Sequence, residues 1–240
     1  MSTNDRPMSI LQHLAELRQR LLKAVIAMVI GTLVGALLTE PVLMELISPL
    51  GGLKPYAESP TATTATFFQL SAVIGLILAM PVVMYQLFRY VSPGLTSNER
   101  RYAVIGAPIA AICFAAGAAF AAYVILPAAI PFLMGFLADV VEMRYSLSRY
   151  LSFVSSVMIA AGLVFETPLV MYFLAKLGVV SPAGFARAWR VVLVGAAIGA
   201  AVITPTVDPV NMLLVMGPFI LLYQLGIILA RIATRGRELD

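Results

Sequence analysis

The sequence predicts an all-α membrane protein, a single domain over residues 1–240. Six kinked transmembrane helices form a concave bundle with short fifth and sixth spans. Two observations carry this. Hydrophobic residues fill 61% of the 240 positions and charged residues only 12%, about half the charged share of a soluble domain. Apolar runs also recur at the length needed to cover roughly 30 Å of hydrocarbon, about 20 residues each. They fall near 21–38, 67–88, 104–126, 150–174, 191–205 and 212–230.

A third observation gives the orientation. Arg6, Arg18, Arg20 and Lys23 precede or open the first run. Arg89, Arg100 and Arg101 lie in the second loop, Lys176, Arg187 and Arg190 in the fourth, and Arg231, Arg235 and Arg237 after the last run. Only Lys54, Arg144 and Arg149 fall on the opposite side. Basic residues are retained on the cytoplasmic side, so a multi-pass protein of the cell inner membrane with both termini cytoplasmic is expected. This topology signal also accounts for the formal charge of +4, which in a soluble protein would hint at nucleic acid. The first apolar run follows a polar tail of twenty residues and is too long for a signal core, so a cleavable signal peptide is not expected.

Each element follows from its residues. The amino tail reads SILQHLAELRQRL over 9–21. Its leucines and isoleucine form a helical stripe, Ser9 and Gln12 suit a capping box, and His13, Glu16 and Arg20 project from the other face. Glu16 and Arg20 stand at i,i+4 spacing, which fits an interfacial helix with a surface ion pair. Residues 39–66 read as a long outer segment, with a short helix over Met44–Ile47 before Ser48-Pro49 and loop chemistry at Gly51-Gly52, Pro55 and Pro60. In the second loop Pro93-Gly94 is a turn, after which Ser97 caps a helix start and Glu99 complements its dipole. Glu99 is thus either a well-placed helix end or an exposed carboxylate near that of Glu16. Two such carboxylates suit a pair of guanidinium groups, which offer planar, bidentate forks.

Pro81, Pro108, Pro168 and Pro218 fall inside spans, and kinks are expected at each. The apolar stretch Pro131–Leu137 is too short to cross and is expected at the outer interface. Glu166 is the one acid well inside a span, in Phe165-Glu166-Thr167-Pro168. An ionisable group there is costly and points to function; the alternative is a protonated structural acid. The fifth run, Val191–Ile203, covers only about 20 Å at 1.5 Å per residue. It requires local thinning of the bilayer or continuation through Thr204-Pro205. Thr204, Thr206 and Asp208 end that hairpin, where Asp208 suits turn chemistry.

The same residues argue against an enzyme. His13 is the only histidine and lies in the tail, so an intramembrane Ser–His protease has no imidazole. One cysteine, Cys113, cannot complete a His/Cys metal site. No phosphate-cradling glycine motif is present. No catalytic residues, metal or cofactor are expected.

Taken in order, the segments HLAELRQRL at 13–21, SPL at 48–50, YVSPGLTSNERR at 90–101, YLSFVSSVMIAAGLVFETP at 150–168, VVSPAGFARAWR at 179–190, ITPTVDP at 203–209 and GPFILLYQLG at 217–226 resemble the TatC family, the multispanning core of the twin-arginine translocase. The resemblance covers nearly the whole chain. It implies a receptor that recognises twin-arginine signal peptides on folded cargo. It also implies assembly with single-span TatA and TatB partners in a homo- or hetero-oligomer, with export driven by the proton motive force. By position it places signal-peptide binding on Glu16 and Glu99, with Leu17, Arg18 and Tyr90 in support. Pro49 falls on an outer-loop motif and Glu166 on the embedded family glutamate. Thr204, Asn211 and Gln224 fall where partners dock. Asn211 and Gln224 depart from the family's residues there, and Tyr90 replaces a phenylalanine. Two other classes fit six spans with one embedded acid: a secondary transporter relaying protons through Glu166, and a structural scaffold that binds no signal peptide.

Overall fold

The computed structural model describes residues 10–91, 97–135, 144–203 and 209–235, with side chains throughout except at 10–12, 91, 97–104, 202, 203, 209–211 and 214. The helices are α1 (Ile10–Ile47), α2 (Ala62–Val91), α3 (Ser97–Phe120), α4 (Leu126–Gly135), α5 (Leu147–Phe165), α6 (Thr167–Lys176), α7 (Pro182–Ile203) and α8 (Pro209–Thr234). A 3-10 turn, Ser48–Leu50, closes α1, and a π-helical segment, Ala121–Ile125, joins α3 to α4. Among the described residues these make six stretches long and apolar enough to cross a membrane. Leu37 is 82% exposed on α1 and Leu221 72% on α8. Apolar faces this open are compatible with hydrocarbon, where helices satisfy every backbone polar group internally.

Three elements run further than the sequence indicates. The first span does not stop at 38, and Met44–Ile47 is not a separate helix; α1 continues for 38 residues with Pro41 inside it, about 57 Å at 1.5 Å per residue. Proline removes one backbone donor, but here side chains tie the flanking turn down. Thr39 Oγ1 lies 2.9 Å from the Gly35 carbonyl and 2.8 Å from Ser71 Oγ on α2, and both hydroxyls are buried. The third span likewise continues through the π segment into α4, so Pro131–Gly135 is helix rather than an interfacial cap. A π turn inserts one residue into the helical register. It carries Leu126, Ala129 and Ile130 into buried positions. Helix α7, the fifth span, begins at Pro182, nine residues before its apolar run. Ser181 Oγ accepts from Gly184 N at 3.0 Å, and proline suits the first helical position because its missing donor has no partner there anyway. The fifth and sixth spans, α7 and α8 with 22 and 26 residues, remain the shortest of the crossings.

The helices pack in an open order: α1 on α2, α2 on α3 and α5, α3 on α5, then α6 on α8 and α8 on α7. Backbones touch where α1 crosses α2. A Cβ at Gly31 would stand 2.5 Å from the Gly75 carbonyl oxygen, and one at Gly75 would stand 2.4 Å from Thr32 N. Small residues allow this approach in a membrane, where dispersion and interhelical hydrogen bonds replace the hydrophobic drive. Leu50, Leu70, Leu151 and Val154 are fully buried at the centre of the main core.

On the side reached by the 3-10 turn, the loops are tied together. Tyr56 N donates to the Tyr145 carbonyl and Leu147 N to the Tyr56 carbonyl, each at 2.9 Å. Arg149 pairs with Glu58 at 3.1 Å, and the Tyr150 hydroxyl donates to the Leu46 carbonyl. Pro49 opens the 3-10 turn, whose left-handed cap is Gly51 at φ 61°, and that turn drives Leu50 into the core.

Candidate functional site

At the opposite end of the bundle the amino-terminal turns of α1 lie against the last turns of α2. His13, Glu16 and Arg20 share one face of α1, as i, i+3 and i+4 neighbours must. His13 stacks on Tyr90, with ring centroids 4.5 Å apart and planes at 20°. Arg20 directs Nε to Glu16 Oε1 at 2.8 Å, adds Nη2 to the same oxygen, and extends Nη1 to Gln86 Oε1 on α2 at 3.5 Å. The expected Glu16–Arg20 pair therefore exists, but it is not a surface pair: the two side chains are 19% and 18% exposed. Glu16 Oε2 is buried and has no hydrogen-bond partner among the described residues. The helix presents Leu17 and Arg18 outward, both exposed. Arg89 lies over the Tyr85 ring at 5.9 Å from its centroid. Glu99 stands in the first turn of α3, just past the link from α2; its side chain lies outside the described residues.

Glu166 occupies the break between α5 and α6. Its N–H donates to the Leu163 carbonyl at 3.2 Å and its carbonyl accepts from Val170 N at 2.9 Å, so the backbone is satisfied across the break. Pro168 follows in the first turn of α6. The side chain is 5% exposed, and neither carboxylate oxygen has a partner among the described residues. A narrow apolar niche of about 20 Å³ lies between Phe120, Val157, Phe165 and Pro218.

The third group of sequence-derived residues lies mostly outside the described residues. Thr204 and Asp208 lie outside the described residues, as does the side chain of Asn211. Gln224 is exposed, thirteen residues along α8 from Asn211, about 20 Å away at 1.5 Å per residue. It borders a groove with Trp189, Val192 and Tyr223, and the Tyr223 hydroxyl pins the groove by donating to the Phe185 carbonyl at 2.8 Å. Sequence reasoning missed Gln86, Thr39 and Ser71. A signal for the last two existed, since each is a small hydroxyl residue within an apolar run, a frequent means of joining helices in a membrane. Gln86 had none, because its role depends on which helix lies opposite.

The fold and these sites define a multi-pass α-helical membrane protein with a partly desolvated polar cluster at one end and a buried acid, Glu166, within the bundle. A family model described as Sec-independent protein translocase protein (TatC) matches residues 12–218. A TatC protein of Carboxydothermus hydrogenoformans is 33% identical over 95% of this chain and 94% of its own length. One of Deinococcus radiodurans is 36% identical over 92% and 84%. The crystal structure of a twin-arginine translocase receptor, TatC, superposes with a TM-score of 0.80 at 33% identity, over 93% of this chain and all of that one. The chain belongs to the TatC family and takes the TatC role in Sec-independent, twin-arginine protein translocation.

Proposed function

We propose that this chain is the core receptor of its translocase and binds the arginine pair of signal peptides on folded cargo at the end of the bundle where α1 packs on α2 and α3 begins. The observation that carries this reading is the half-used carboxylate of Glu16. One oxygen is engaged by Arg20 while the other is desolvated and unpartnered among the described residues. Such an oxygen is an acceptor for a guanidinium from outside. Charge-assisted bonds of this kind contribute roughly 1.5–3 kcal/mol each. Glu99, at the start of the next helix, supplies the second carboxylate. Tyr90 holds α1 in register, and Leu17 and Arg18 flank the peptide.

The basic residues gather at this end of the helices, which supports an inner-membrane orientation with both termini cytoplasmic. After docking, the apolar part of the signal peptide lies along the open wall of helices. TatA- and TatB-type single-span partners then pack near Glu166 and the short α7–α8 hairpin, where Thr204, Asn211 and Gln224 contribute polar contacts and Asp208 forms the turn. The assembled homo- or hetero-oligomer uses the proton motive force for export.

Export of a folded twin-arginine reporter tests this in cells whose only TatC-type protein is this chain. Glu16→Ala and Glu99→Ala are each expected to leave the reporter in the cytoplasm at unchanged membrane levels of the protein. Undiminished export in both variants would overturn the assignment.

A further inference from the structure

Arg20 holds the Glu16 oxygen beside the one that the proposed function reserves for a guanidinium of the cargo. Its Nε and Nη2 both engage Glu16 Oε1, and its Nη1 reaches Gln86 Oε1 on the neighbouring helix. The pair is four-fifths buried, so solvent screening is weak and the carboxylate is neutralised by a resident partner. The arrangement is lopsided. Both bonds fall on one oxygen, and the other has no partner among the described residues.

We propose that Arg20 is a resident guanidinium gate: the cargo arginine enters at Glu16 Oε2, displaces Arg20, and Arg20 is retained by Gln86. This rests on the reading of Glu16 as the arginine-pair site. It turns recognition into an exchange, in which one charge-assisted fork breaks as another forms. The exchange sets a threshold that depends on ligand shape. A guanidinium delivers two parallel N–H bonds to both carboxylate oxygens and replaces what Glu16 gives up. An ammonium is a strongly hydrated point charge without that fork. It loses more hydration on entering a desolvated site and returns fewer aligned bonds. Arg20 thereby discriminates against lysine without touching the cargo. Gln86 is a positioning residue. Its carbonyl oxygen accepts from Arg20 in the closed arrangement at 3.5 Å, a long contact that shortens once Nε and Nη2 leave Glu16.

The purified full-length chain is titrated with a labelled signal peptide carrying either two arginines or two lysines. The wild type is expected to prefer arginine. Arg20→Gln is expected to tighten both peptides, the lysine form more, so that the preference falls about tenfold, which equals roughly 1.4 kcal/mol. Gln86→Leu, on the other helix and without a charge change, is expected to weaken the arginine peptide several-fold. It serves as the independent variant should Arg20→Gln fail to fold. A preference unchanged in Arg20→Gln, or arginine binding unchanged in Gln86→Leu, would overturn the gate while leaving the receptor reading intact. A wild type that binds neither peptide would remove the receptor reading, and the gate with it.

Discussion

The imidazole of His13 and the phenol ring of Tyr90 lie face to face, 4.5 Å between centroids and 20° from parallel. This contact fastens the amino-terminal turns of α1 to the last turn of α2. Further along this helix of about 57 Å, the next polar link to α2 among the described residues is Arg20 to Gln86. Because His13 and Glu16 stand three residues apart, fixing the ring also fixes the azimuth of the carboxylate.

The stack is therefore predicted to matter for binding more than for stability. Aromatic pairs contribute roughly 0.5–1.5 kcal/mol beyond burial. Tyr90→Ala is expected to weaken twin-arginine peptide binding several-fold with only a small drop in melting temperature, whereas Tyr90→Phe, which keeps the ring, retains affinity. Equal loss in both variants would assign the effect to the hydroxyl instead.

The α1–α2 crossing is predicted to be intolerant of bulk. A Cβ at Gly75 would meet Thr32 N at 2.4 Å, and a backbone atom cannot rotate aside. Gly75→Leu should destabilise the purified protein by about 1–3 kcal/mol, the usual cost of overpacking, and shift its melting temperature in detergent accordingly. At Gly195, where an added Cβ meets nothing within 4 Å, the same replacement should leave melting unchanged.

Thr39 and Ser71 offer a second test of that crossing. Each hydroxyl lies near its own i−4 carbonyl, Gly35 at 2.9 Å and Phe67 at 2.7 Å, and the two oxygens are 2.8 Å apart. With one proton apiece, either each hydroxyl donates to its own helix or one of them donates across the interface. A double-mutant cycle with Thr39→Val and Ser71→Ala should return a coupling of about 0.6 kcal/mol and no more than roughly 1.7, the range found for interhelical bonds in membranes. Zero coupling would mean that both protons go to their own helices.

The spans, the embedded Glu166 and the grouping of His13, Glu16 and Arg20 were legible in the sequence because each follows from local rules: hydropathy, charge and helical period. Helix ends were not. The apolar runs near 21–38 and 104–126 mark no end that the helices keep, since α1 continues through Pro41 and the third span continues through a π segment into α4. The start of α7 was misread for the opposite reason, since Arg187 and Arg190 hid a helix whose Ser181-Pro182 opening was a usable signal. The Gln86–Arg20 contact was invisible, since residues 66 positions apart meet only through packing.

Glu166 is predicted to act after recognition. Its carboxylate is buried without a partner among the described residues, so an amide of the same shape costs the fold little. Glu166→Gln is expected to keep its melting temperature and its signal-peptide affinity but to lose reporter export. Loss of peptide binding in this variant would place Glu166 in the recognition step instead.

The most direct test is the affinity of the detergent-purified chain for a twin-arginine signal peptide against its twin-lysine counterpart, repeated with Glu16→Gln. The account predicts tight binding of the arginine form alone, weakened at least tenfold when Glu16 loses its charge, as expected if a charge-assisted bond of roughly 1.5–3 kcal/mol is removed. Equal affinity for both peptides, or binding indifferent to Glu16→Gln, would contradict it.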